Sequence, residues 1–304
     1  MNIYDFLETS IGRRLMSLPA PLLDSAIGAV ANMGLFSSGR FVKQVITATD
    51  VADDQEGVRR IEHSLRQANA RYFVDLGTLM HAREAVVRDR FANVRCEGLE
   101  IWRDIKGEGA ILMSAHFACF YIGAFAPGVF QDILLVSRYY SPSRDDLLKR
   151  ISKLTGKTIE MAGLTDKNIG LRLLGKLRRA GTVAVMMDYF YEDTNLVITN
   201  FMGAPAATPA GLAMMAVRTK RPVIPVFMLR DSEGYLVRIE EPVVMPDDSC
   251  SMEEATFILA SRMNAVIDQT VRRFPEQWTF WPSLPRRWDY ARRTLSNLNQ
   301  ETLL

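Results

Sequence analysis

Five short apolar runs, separated by helix-patterned sequence, constrain this chain more than any other feature. They are Gly109–Ala115 (GAILMSA), Ile133–Ser137 (ILLVS), Thr182–Met187 (TVAVMM), Pro222–Leu229 (PVIPVFML) and Tyr235–Ile239 (YLVRI). Each is of strand length, and several are rich in Val and Ile. Between and around them, Asp145–Thr155, Lys167–Ala180, Gly211–Lys220 and Ser251–Phe274 carry helical spacing. Strands alternating with helices predict an α/β fold with a mostly parallel central sheet covered by helices. Runs that are continuously apolar predict strands covered on both faces.

The first 95 residues have a different texture. In Asp54–Ala92 the apolar positions Val58, Ile61, Leu65, Ala68, Tyr72, Phe73, Leu76 and Leu79 recur at helical spacing. The expected organisation is therefore a helical N-terminal region (1–95), an α/β domain (96–290) and a C-terminal tail (291–304). The 304 residues are 48% apolar, enough for a sizeable core. A net charge of +2 singles out no partner. No basic stripe interleaved with aromatics supports a nucleic-acid role. The three cysteines, Cys96, Cys119 and Cys250, form no CxxC pair, so neither zinc nor a disulfide framework is indicated and a reducing cytoplasm fits best. No signal peptide is expected, and no apolar run reaches the roughly 18 residues of a transmembrane helix. The stretch Leu15–Phe36 reads either as a buried or surface helix starting near Pro21, or as an interfacial membrane-docking helix. Arg13, Arg14, Arg40 and Lys43 would then meet anionic lipid.

In parallel sheets, ligands sit outside the carboxyl ends of the strands. The residues just after the apolar runs are Ser114–His116, Arg138–Tyr140, Asp188–Tyr191 and Arg230–Asp231, so a base, acids and arginines converge on one edge. His116 directly follows a buried strand. A helix expected over Phe117–Ala126 would aim its first N–H groups at the same place, favouring a developing oxyanion. From spacing alone, His116 reads as a mere helix cap or packing residue as readily as it reads as a functional base.

Four segments in order carry a family resemblance. GEGAILMSAHF (107–117) is a Gly-rich entry, an apolar strand and His-Phe. MMDYFYEDTNLVITNFMGAPAATPAGLAMMA (186–216) is a strand ending in Asp, a loop and an Ala-Thr-Pro-x-Gly helix start. PVIPVFMLRDSEGYLVRIEEP (222–242) is a strand, an Arg and a hairpin. PEQW (275–278) is followed by Arg286-Arg287-Trp288. Together, over roughly 95–290, they resemble the lipid A late acyltransferases, which include the lauroyl and myristoyl transferases and the acyltransferases of mycobacterial mannosides. These lie within a lysophospholipid-acyltransferase-like superfamily. The resemblance implies an acyltransferase domain preceded by membrane-docking helices, peripheral on the cytoplasmic face of the bacterial inner membrane. It implies fatty acyl transfer from an acyl-carrier-protein or CoA thioester, used as co-substrate without a further cofactor, to a lipid or amphiphilic acceptor hydroxyl. His116 would be the general base.

The family pattern has an acid five residues after the histidine, HxxxxD/E; here that residue is Tyr121. A phenol with a pKa near 10 brings no charge at neutral pH. Three readings follow. Another carboxylate serves His116, with Asp188 the candidate and Glu192 and Asp193 behind it. Alternatively the acceptor is an amine, an N-acyltransferase of specialised metabolism needing less base assistance. Or the chain is an inactive relative that binds acyl chains or a carrier.

Tyr121, Arg138, Tyr191, Thr208 and Arg230 are the candidate substrate-contacting residues. Arg138 and Arg230 would grip a phosphate of a pantetheine arm, CoA or headgroup, or else form structural ion pairs. Thr208 and Gly211 read first as a helix start, with Thr capping and Pro209 in the first turn. Cys119 reads as packing, and Glu276 and Trp278 as bracing. Lys149, Arg150, Lys153, Lys157, Lys176, Arg178 and Arg179 read either as a solvated helix face or as a patch docking an acidic carrier protein or anionic membrane.

Overall fold

The fold follows the alternation read from the sequence. In the computed structural model, residues 7–16, 18, 22, 23, 25, 39–105, 107–138 and 141–301 are described. Most of Leu15–Phe36 therefore lies outside the described residues, and with it the interfacial-helix reading.

The strands are β1 (Arg95–Glu97), β2 (Ala110–Ser114), β3 (Asp132–Ser137), β4 (Thr158–Gly163), β5 (Thr182–Met186), β6 (Leu196–Phe201), β7 (Ala204–Pro209), β8 (Val223–Asp231) and β9 (Gly234–Ile239). Seven of them form one sheet in the order β1-β9-β8-β2-β5-β3-β4. Every pairing in it is parallel except the β8–β9 hairpin. The strands β6 and β7 pair separately and antiparallel. The apolar runs became the central strands because both of their faces are covered. One core includes Ile111, Met113, Val183, Val223 and Phe227. The other, across the sheet, includes Leu112, Ile133, Ile224 and Val226.

Four strands were not marked by continuous apolar sequence. β4 is an edge strand with mixed burial, and β1 is only three residues long. The β6–β7 hairpin turns on Met202 and Gly203, both with positive φ, the conformation a two-residue hairpin loop requires.

The helices Ser10–Met16, Gly39–Thr47, Gln55–His81 and Glu84–Arg90 make the N-terminal region helical. Asp54 starts the long one, its carboxylate accepting the Gly57 N–H at 2.6 Å. This helix packs on the α/β layers: Asp75 accepts hydrogen bonds from Arg90 Nε at 2.9 Å and from the Tyr235 hydroxyl of β9 at 2.6 Å. Helices Pro142–Thr155, Ile169–Arg178, Gly211–Thr219 and Met252–Arg273 match the four expected ones to within a few residues. The C-terminal helix Leu284–Glu301 runs straight across the expected start of a tail at 291. Among the described residues, no helix is long and apolar enough to cross a membrane.

One expected helix differs. After His116 the chain does not begin an α-helix at Phe117. Ala118 N–H donates to the Met228 carbonyl of β8 at 3.1 Å, Cys119 is extended, and only a short 3-10 helix, Phe120–Phe125, follows. The backbone donors that a helix start would aim outward are thus partly used to fasten the segment to the sheet.

Candidate active site

Strand register places the central pair. Parallel β2 and β5 align Ser114 with Met186, and Met187 N–H continues the ladder to the Ser114 carbonyl at 2.9 Å. His116 and Asp188 each lie two residues beyond those partners, so they emerge side by side at the carboxyl edge. His116 Nδ1 stands 2.7 Å from Asp188 Oδ1. The His116 backbone N–H donates to Asp188 Oδ2 at 2.7 Å, and the Trp278 indole N–H donates to the same oxygen at 2.8 Å.

Asp188 is completely buried. Burial alone would push its carboxyl up, but the facing His116 imidazole, the hydrogen bonds from His116 and the Trp278 N–H outweigh it and hold the carboxyl below the ordinary carboxylate range. An ionised carboxylate only accepts, so Nδ1 is the ring nitrogen that carries a proton toward Asp188, and Nε2 is the one turned away from the carboxylate. The ring is further held by Phe280, stacked at 3.8 Å between centroids, with Tyr189 at 5.9 Å. Thr279 binds the His116 carbonyl twice, through its N–H at 2.8 Å and its hydroxyl at 2.9 Å.

His116 opens onto a cavity of about 170 Å³ that runs along one face of the sheet. Its deep walls are apolar, among them Leu112, Phe130, Ile133, Ile159, Ala184 and Met228, while Arg138, Arg144, Tyr189 and Tyr191 gather with His116 as its polar and aromatic part. Tyr121 is buried in the cavity wall, its ring tilted against that of Phe120 with centroids 4.0 Å apart. The position where the family pattern puts an acid is therefore a wall position here.

Arg138 lies over the Tyr191 ring at 3.9 Å and makes a two-pronged pair with Asp193 at 2.8 and 3.2 Å. Arg144, which sequence reasoning missed, donates to Ser137 Oγ at 2.9 Å and also lines the cavity. Its signal was available: it sits in the first turn of a helix following a strand mouth.

Two candidate contacts, Arg230 and Thr208, lie outside the cavity lining. The hairpin pairs Arg230 with Tyr235, and its guanidinium lies over that ring at 4.8 Å, while Gln277 clamps its backbone N–H and carbonyl, each at 2.8 Å. Thr208 does not cap a helix. It lies in β7, fully buried, its hydroxyl 2.8 Å from that of Thr199 and 3.2 Å from Arg287 Nη2. Ala210 takes the cap position of helix Gly211–Thr219.

Cys119 is buried, and burial pushes its thiol well up, in keeping with the packing role read from the sequence. Glu276 lines a separate polar cavity with Asp53, Asp54 and Arg60, away from His116. In the basic stretch, Arg178 and Arg179 are exposed, but Lys157 is buried, donating to the Ala126 carbonyl at 2.8 Å. Lys149, Lys153 and Lys176 pair with Asp145, Glu84 and Asp132.

Comparison with known proteins adds a family. The model of the bacterial lipid A biosynthesis acyltransferases matches residues 2–289. No curated protein matches the chain. Among solved structures, the crystal structure of the 1-acyl-sn-glycerophosphate (LPA) acyltransferase PlsC from Thermotoga maritima is similar at 15% identity with a TM-score of 0.38, over 83% of this chain and 97% of that one.

Proposed function

We propose the following reaction for a chain that, by its match over residues 2–289, belongs to the bacterial lipid A biosynthesis acyltransferase family. The chain is an acyltransferase acting on a lipid acceptor. The donor is a fatty acyl thioester of acyl carrier protein or CoA, and the acceptor group is a hydroxyl. His116 Nε2 takes the hydroxyl proton as the oxygen attacks the thioester carbonyl. The carbon–sulfur bond then breaks, and the same proton goes to the departing thiolate, so no acyl-enzyme forms. Asp188 holds the ring in the required tautomer and stabilises the imidazolium. The acyl chain lies in the apolar cavity, and Arg138, with Tyr191 beneath it, receives a phosphate of the donor or headgroup. The protein works from the cytoplasmic face of the inner membrane, attached peripherally.

The observation that carries this reading is the 2.7 Å His116–Asp188 pair at an apolar cavity. It supplies a charged partner for the base although Tyr121 stands at the motif position. The amine-acceptor and inactive-relative readings rested on the lack of such a partner, so the hydroxyl acceptor is preferred.

Purified protein incubated with acyl-carrier-protein and acyl-CoA thioesters and a lipid extract as acceptor pool tests the reading. Thioester loss coupled to a new acylated lipid, abolished by His116→Ala and nearly so by Asp188→Asn, is expected. Activity that survives Asp188→Asn removes Asp188 from the mechanism. Binding of thioester without turnover, with the acceptor varied, returns the chain to a non-catalytic role.

A further inference from the structure

Three consecutive residues of the C-terminal segment touch the two candidate catalytic residues in three different ways. Trp278, fully buried, donates its indole N–H to Asp188 Oδ2 at 2.8 Å. Thr279 holds the His116 carbonyl through both its N–H and its hydroxyl. Phe280 stacks flat on the His116 imidazole at 3.8 Å and 20°. An acid within the His116 loop would be tied to the base by a short covalent path. Asp188 comes instead from the next strand's loop, so its alignment depends on whatever fixes both loops from outside.

We infer that Trp278 is a positioning residue for acyl transfer: its indole N–H locks the Asp188 carboxylate against His116 Nδ1, and Thr279 and Phe280 complete the clamp. This rests on the acyl-transfer reading above. The geometry favours one assignment of oxygens. With Oδ2 occupied by the His116 backbone N–H and the indole N–H, Oδ1 is left for the imidazole. Without the indole bond the carboxylate keeps a single backbone anchor and can rotate away from the ring. The aromatic packing of Trp278 is separable from its hydrogen bond. The ring sits edge-on to Phe201 at 5.8 Å and to Trp281 at 4.9 Å, contacts that a phenylalanine largely keeps.

Two measurements on the full chain test this. In ¹⁵N–¹H NMR without substrate, Asp188→Asn should displace the Trp278 indole resonance far more than those of Trp102 and Trp288; an indole that does not move overturns the inference. In acyl-transfer kinetics, Trp278→Phe should lower kcat by about tenfold with the donor KM and the melting temperature little changed. A folded Trp278→Phe protein with unaltered kcat, or with its loss confined to KM, also overturns it. Should Trp278→Phe fail to fold, the Asp188→Asn spectrum decides. The spectrum needs no turnover, so a chain that transfers no acyl group refutes the reaction while the indole bond is judged separately.

Discussion

A carboxylate that is fully buried yet held ionised is costly unless its charge is used or fully paired. The close partners of Asp188 all serve to fix it against one ring: His116 through Nδ1 and its backbone N–H, and Trp278 through its indole. Replacing the orienting carboxylate of a histidine base by an amide costs about ten-thousand-fold in kcat in the serine protease triad. Asp188→Asn is expected to cost about as much, measured as initial rate at saturating donor. Stability should follow the same group. Its folded pKa is depressed below the ordinary 3.8, so its contribution is fully present above that value and is lost as pH falls through the depressed one. Acid unfolding curves of wild type and Asp188→Asn should therefore converge below the ordinary carboxylate range. At this scale the sequence was legible where side chains follow strands directly: His116 and Asp188 were both placed at strand mouths. Arg230 stands at a strand end as read, but its partner Tyr235 was not legible because the hairpin supplies it, and Thr208 faces Val197 in a strand read as a helix start.

Among the elements, the segment after β2 departs most from expectation. Its position after a strand favours a helix in Phe117–Ala126, but the Ala118–Met228 bond captures the chain for the sheet edge and leaves only a 3-10 turn. No local pattern announces a bond to a residue 110 positions away. The end of that turn is fixed to the start of edge strand β4 by Lys157, whose ammonium reaches the Ala126 carbonyl. Burial pushes this lysine down from 10.5 to about 8. Below pH 8 both folded and unfolded chains hold the proton, and the folded chain bears the whole cost of the buried charge. Between about 8 and 10.5 the unfolded chain binds more protons, so this group makes stability rise with pH. Lys157→Met should remove that slope. Denaturant unfolding of the two proteins at pH 7, 8, 9 and 10 should show wild type gaining on the variant at each step above 8, and a constant difference would contradict the burial assigned to Lys157.

At the scale of the whole molecule, the sheet separates two cores, and the cavity is lined mostly by residues of the one that includes Leu112, Ile133 and Val226. The interior strand β5 marks the place, for Ala184, Val185 and Met186 are partly accessible although strands flank β5 on both sides. Accessibility there comes from the cavity, whose walls include all three. The run TVAVMM was legible as a buried strand, but nothing in it says that the small side chain of Ala184 borders empty space; that depends on how the Phe120–Phe125 turn sits over the sheet. A fold that leaves an apolar void beside a base forgoes packing for room to hold a chain. Ala184→Leu should then act in opposite directions. Filling the void adds buried carbon at about 0.8 kcal/mol per methylene, so the melting temperature should rise where the side chain fits without strain. The same carbon occupies the path of the acyl group, so kcat/KM should fall for long-chain donors and much less for short ones. Calorimetry and a donor series of increasing chain length measure both. A variant that is stabilised yet keeps its long-chain rate would mean that the acyl group lies elsewhere, and a variant that loses rate equally for every donor would mean that the leucine disturbs His116 rather than the chain's path.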